Sequence, residues 1–91
     1  MAERIEFRIP DELEGGVYAN AVSVWHSAHE FTIDFGSSLP PGQDGEDMVI
    51  PFRVVSRVKI PVSVLFDLIK TLNQNMTNYE ATFGEIQPPA P

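Results

Sequence analysis

From Arg4 to Pro10 apolar and polar side chains alternate, with Ile5, Phe7 and Ile9 on one side and Arg4, Glu6 and Arg8 on the other. A period of two sends successive side chains to opposite faces, so the segment reads as a short half-buried strand closed by Pro10. Asp11-Glu12-Leu13-Glu14-Gly15-Gly16 follows as an acidic connector ending in a Gly-Gly turn signal. Val17 to Trp25 is apolar on both faces. Glu30 to Phe35 alternates again, Phe31, Ile33 and Phe35 opposing Glu30, Thr32 and Asp34. A loop at His26-Ser27-Ala28-His29, or a tighter one at Ser27-Ala28, sets Trp25 across from Glu30, Val24 from Phe31, Val22 from Ile33 and Asn20 from Phe35. Apolar residues then meet across the strands, which predicts an antiparallel hairpin with Val22, Val24, Phe31 and Ile33 inside.

Gly36 to Asp47 holds two Ser, two Pro, three Gly and the acids Asp44, Glu46 and Asp47, and reads as a solvated, mobile loop. From Met48 the chain resumes as a strand, with Phe52, Val54, Ser56, Val58 and Ile60 on one face and Arg53, Val55, Arg57 and Lys59 on the other. Pro61 suits the first helical position, where its missing N–H would be unpaired in any case. From there Val62, Leu65, Ile69, Leu72, Met76, Tyr79 and Phe83 recur at alternating steps of three and four, the spacing of a helix packed on a partner. Gly84 stands where a helix-ending glycine belongs. The expected fold is α+β: an antiparallel sheet of three to four strands packed against one long C-terminal helix. Residues 1–86 form a single domain and residues 87–91 a disordered Pro-rich tail.

Such a helix is about 34 Å long and a nine-residue strand about 30 Å, so one helix can cover one sheet face and no more. Ala19, Ala21, Trp25 and Val55 put apolar surface on the other face, and Phe66 and Leu68 widen the helix's apolar arc. Burying side chains of this kind is worth roughly 1.5–3 kcal/mol each, a large share of a small domain's stability. The expectation is self-association, with Trp25, Val55, Phe66 and Leu68 as interaction residues.

Charge narrows the partners. Six Lys and Arg against 13 Asp and Glu give a net charge of -7 over 91 residues, which disfavours nucleic acid and anionic lipid alike. No apolar run approaches a membrane span, and the N-terminus lacks the order of a secretory signal. The chain contains no cysteine. That removes disulfides, thiolate metal sites and cysteine nucleophiles, and agrees with a cytoplasmic setting.

One cluster has ligand chemistry. His26, His29 and Glu30 could hold a divalent ion, with Asp34 nearby, although the paired imidazoles of a zinc helix need a helical face and this segment reads as a turn. Ser27 between the two histidines has no group to orient a base and no oxyanion donors, so no hydrolytic site is expected. Glu30 and Asp34 share a face about 13 Å apart, and charge pairing across to Arg53, Arg57 or Lys59 is their expected use. Gly15-Gly16 lacks the spacing of a nucleotide loop. No cofactor and no catalytic residue are expected.

Tyr18-Ala19-Asn20, His26-Ser27-Ala28-His29-Glu30-Phe31, Asp34-Phe35, Ser56-Arg57-Val58, Pro61 and Tyr79-Glu80-Ala81-Thr82-Phe83-Gly84-Glu85-Ile86 together resemble the signature of a small prokaryotic family, domain of unknown function 3467. The resemblance runs from about Val17 to Ile86. It implies a small stand-alone cytoplasmic protein and brings no activity or site residue with it. Two departures stand out: the Gly36 to Asp47 loop is longer and more acidic, and Ile60 occupies the place before Pro61 where a Ser or Thr cap is expected. The functional expectation is a non-enzymatic, self-associating interaction or assembly module with itself and another protein as partners. Two alternatives stand beside it: a peptide- or client-binding chaperone, similar in element order to export chaperones of the SecB type, and a small metal-binding protein using His26 and His29.

Overall fold

A computed structural model describes residues 2–88. Five strands and one α-helix follow in order: β1 (Ala21–His26), β2 (Glu30–Ser38), β3 (Gly42–Asp44), β4 (Asp47–Val49), β5 (Phe52–Pro61) and α1 (Val62–Phe83). β1, β2 and β5 form a three-stranded antiparallel sheet with β2 in the middle, and β3 pairs with β4 in a separate two-stranded ribbon. With the long C-terminal helix this is the expected α+β class. Contacts divide the described residues into two compact units. One comprises the chain up to Ser23 with Asp34–Arg57, the other Val24–Ile33 with the chain from Val58 onward. Each of the three sheet strands supplies residues to both units.

The first unit departs from expectation at two places. Arg4 to Pro10 is extended but belongs to no strand, and Ile5, Phe7 and Ile9 are all exposed. Alternation assigns faces to a segment without supplying an edge to pair with, and here no edge takes it. A short 3-10 turn at Asp11–Leu13 follows, and Gly16 at φ 66° completes the Gly-Gly turn. The second departure is the stretch read as a mobile loop. β2 runs on to Ser38, and β3 and β4 close a hairpin in the register Gly42↔Val49, Gln43↔Met48, Asp44↔Asp47. Its two-residue turn has Gly45 at φ 65° while Glu46 stays negative, the pattern of a type II′ turn that requires glycine first.

β1 also starts later than its apolar run suggests. Asn20 donates its backbone N–H to the Gly36 carbonyl at 3.0 Å, and its Oδ1 accepts the Ser38 N–H at 3.0 Å. Both bonds fasten the entry of β1 to the far end of β2. Gly36 itself is required by its neighbours: a Cβ there would overlap the Phe52 ring and stand 2.7 Å from the Arg53 carbonyl oxygen.

In the second unit the Ser27 N–H donates to the Glu30 carbonyl at 3.0 Å, closing a turn around Ala28 and His29. Ser27 Oγ accepts the His29 N–H at 3.2 Å, a local bond that favours this tight turn over a wider loop. The His26 and Phe31 rings lie 5.2 Å apart, so His26 stands opposite Phe31 where Val24 was expected. Beside the turn the strands are thus offset by two residues from the expected pairing. A slip of one would have turned every side chain over, whereas a slip of two keeps each on its expected face.

The helix ends where the sequence places it. Pro61, extended at φ -60° and ψ 153°, is the residue before the helix rather than its first, and no side chain caps the start. At the other end Gly84 takes φ 93°, its N–H bonded to the Glu80 carbonyl at 3.0 Å, and Glu80 Oε2 accepts the Ile86 N–H at 2.9 Å. The Tyr79 and Phe83 rings pack tilted at 41°, 5.0 Å between centroids. Of the tail, residues 89–91 lie outside the described residues, while Gln87 and Pro88 are exposed and without regular structure.

Burial is concentrated on one strand. Ile33, at 6% exposure, is the buried apolar residue among those described, and Thr32 and Asp34 flank it at 2% and 6%. No described helix is long and apolar enough to cross a membrane.

Candidate functional site

Three groups of residues can be weighed as a site, beginning with the turn that joins β1 to β2. His26 is engaged with the Phe31 ring. The His29 backbone bonds Ser27, and Glu30 accepts Lys59 Nζ at 3.3 Å. The ligand set suggested by the sequence is therefore dispersed. Among the described residues no three His, Asp or Glu side chains gather closely enough to hold a metal ion. The same holds at the β3–β4 tip, where Asp44 sits opposite Asp47 with Glu46 in the turn between them.

The second group is charged and sheltered. Asp34, on the middle strand, receives Arg57 of β5 through two bonds, Nε to Oδ1 at 2.6 Å and Nη2 to Oδ2 at 2.9 Å. This fork-on-carboxylate geometry is the strong form of an ion pair. The Asp34 side chain is 8% exposed and that of Arg57 50%, so the arginine covers the acid while keeping its own outer side in water. Asp34 raises the Arg57 pKa above its ordinary value, first by hydrogen bonding and then by charge attraction, with a smaller opposing effect of desolvation. Charge pairing across the sheet was the expected use of Glu30 and Asp34. What the pattern missed is that Thr32 and Asp34, on the face opposite Phe31, Ile33 and Phe35, are among the most sheltered side chains. The signal that could have found this is the arginine on β5, since a bidentate partner lets a carboxylate leave water. No described buried side-chain polar atom lacks a hydrogen-bond partner. The pair is thus an internal fastening of the sheet, with no orphaned group turned toward a ligand.

The third group is apolar. Of the four residues singled out for interaction, Trp25 is 49% and Phe66 74% exposed, while Val55 and Leu68 are half-buried. In the first unit Ala19, Asn20, Ala21, Val22 and Phe35 line a shallow depression. On α1 a second depression is outlined by Phe66, Ile69, Lys70 and Asn73, with Gln74 and Thr77 beyond them. α1 buries none of its residues fully; Leu65, Leu68 and Glu80 are its half-buried positions.

The three-stranded sheet and the long helix make this an α+β chain with one sheltered ion pair and apolar residues that are largely uncovered. The chain belongs to the family described as "Protein of unknown function (DUF3467)", whose model matches residues 1–88. The match reaches past Val17 into the N-terminal segment. No curated protein and no solved structure matches the chain. Several residues that carry the family resemblance have structural work here. Asn20 fastens β1 to β2, Asp34 and Arg57 form the ion pair, and Glu80 and Gly84 finish the helix.

Proposed function

We propose that this chain is a non-enzymatic, cytoplasmic module that works by association, with itself first and through the assembled form with another protein. The observation that carries this reading is the exposure of apolar side chains on β1, β5 and α1 in a chain with one buried apolar residue among those described. Surface of that kind is stabilised by transfer out of water at roughly 25 cal/mol per Å², and a domain this small has few other sources of stability. Uncovered apolar surface on this scale marks an interaction site more often than an accident of composition. The net charge of -7 favours a protein partner over nucleic acid or an anionic membrane.

The test is sedimentation equilibrium across a wide concentration range at physiological salt. A species of at least twice the 10.1 kDa chain mass that dissociates on dilution is expected. A monomer at every concentration, with cooperative unfolding of its own, overturns the reading.

A further inference from the structure

We infer that the self-association just proposed, on which this inference rests, occurs through α1, whose apolar seam pairs with the seam of a second copy to form a two-helix contact. The spacing specifies the kind of partner. Val62, Ile69, Met76 and Phe83 interleave with Leu65, Leu72 and Tyr79 at the 3.5-residue average, maintained over three heptads. That repeat keeps one stripe of a helix turned continuously toward another helix. Among the described residues α1 is the one α-helix of the chain, so the facing helix has to come from outside it.

The seam is bare along most of its length. Val62, Ile69, Leu72, Met76, Tyr79 and Phe83 are between 45% and 74% exposed, and Leu65 near the start is half-buried. With Phe66 alongside, at roughly 100 Å² of open surface per residue, the stripe offers on the order of 700 Å², close to the ~800 Å² per partner of a stable interface.

Charge selects a second copy over a foreign helix. The whole chain carries -7, yet α1 holds three charged side chains, Asp67, Lys70 and Glu80, for a net of -1. Asp67 and Lys70 lie away from the seam, and its flanks are filled by Phe66, Leu68, Asn73, Asn75 and Thr82, with Glu80 the one charge among them. Charged flanks are what set heterotypic partner choice in paired helices. A nearly neutral stripe on an acidic body is where two identical copies can meet with least repulsion, and a two-fold contact makes that stripe complementary to itself.

Leu72 lies mid-seam and is 60% exposed, so Leu72→Glu can be introduced without placing a charge in the fold's own interior. Gln74→Glu adds the same charge on the opposite side of the helix. Light scattering behind size exclusion is expected to show the wild type and Gln74→Glu at twice the chain mass and Leu72→Glu at the chain mass. Because the chain has no cysteine, Leu72→Cys and Gln74→Cys each carry a single thiol. A short bis-maleimide is expected to join two copies of the first and not of the second. This crosslinking decides the matter even where Leu72→Glu fails to fold. A folded Leu72→Glu that keeps the doubled mass, or a Leu72→Cys that crosslinks no better than Gln74→Cys, overturns the helix pairing and leaves association through another surface standing. A monomeric wild type overturns both.

Discussion

β2 and α1 are both apolar along one face, and the fold treats them in opposite ways. β2 has strands on either side, and Thr32, Ile33, Asp34 and Gly36 disappear between them. α1 has more than twice as many residues, has the more regular apolar pattern, and buries none of its residues fully. What decides burial is the number of elements that flank a segment, with pattern secondary to it. β2 closes its polar groups with Arg57 and its crowded point with a glycine. α1 contains neither an internal ion pair nor a small residue on its seam. The middle strand is finished within one chain, and the helix is left open, as the proposed pairing with a second copy requires.

The sharpest way to break this comparison is one substitution made in both regions. Ile33→Ala removes the buried apolar side chain of β2, and core truncations of this kind lose about 2–5 kcal/mol. A loss near the upper end would unfold a domain of this size. Ile69→Ala, on a residue half exposed in the single chain, is expected to lose well under half as much in dilute solution. The deficit should grow with protein concentration, because a variant that weakens the contact forfeits the stabilisation that mass action gives the wild type. Thermal melts at low and high concentration measure both. Equal, concentration-independent losses at the two sites would erase the distinction.

Gly36→Ala comes next. The added methyl has to displace the Phe52 ring or the strand carrying it, since Arg53 backbone lies behind. Overpacking of this order destabilises by about 1–3 kcal/mol. Gly15→Ala, where nothing stands within 4 Å of the new Cβ, is the control, expected to change stability little. Urea midpoints of the two variants report the difference.

Arg57→Lys follows with a smaller effect. The charge over Asp34 survives, but the two-bond fork does not. The melting temperature is expected to fall by a few degrees, and by more for Arg57→Met, which leaves the sheltered carboxylate without its cation. The pH dependence follows from the direction of the arginine shift. A pKa raised on folding contributes stability that is fully present below the ordinary guanidinium value and is lost only as pH climbs through the raised one. Deprotonation of Arg57 therefore removes nothing across the neutral and mildly alkaline range, and melts between pH 7 and 9 should show no loss from this source.

The legibility of the sequence divides along the same line as burial. β2, β5 and α1, with the stop at Gly84, were readable because each carries one period over many residues, and a long pattern averages out local exceptions. β3 and β4 are three residues each, too short to show a period amid Gly, Pro and Ser. The hairpin register escaped by two residues because that slip alters no side chain's face, so hydrophobic matching is blind to it. Asn20 was read as one more inward strand position, and its bond to the Ser38 N–H belongs to a class of side-chain-to-backbone contacts that leave no periodic trace. At the candidate site, the pairing of Asp34 with a β5 cation was readable from charge and strand order. Its burial could be read only from the arginine on β5, since an aspartate in an alternating strand looks the same whether its partner is water or arginine.

The N-terminal segment supplies the smallest expected effect. Ile5, Phe7 and Ile9 alternate as cleanly as any residues in β2, but Phe7 is 85% exposed and its segment pairs with no strand. On the principle that flanking elements decide burial, Phe7→Ser should behave as a surface substitution, within about 0.5 kcal/mol of the wild type. Its amide and its neighbours' should exchange with solvent as fast as those of an unstructured chain. The helix seam differs in one measurable respect: its exposure is expected to fall as concentration rises, and that of Phe7 is not. Hydrogen exchange at two protein concentrations separates the two kinds of open apolar residue. Protection at Ile5, Phe7 and Ile9 that rises with concentration alongside that of α1 would mean that this segment too completes itself on a second copy. The strand read from its alternation would then exist only in the assembled form.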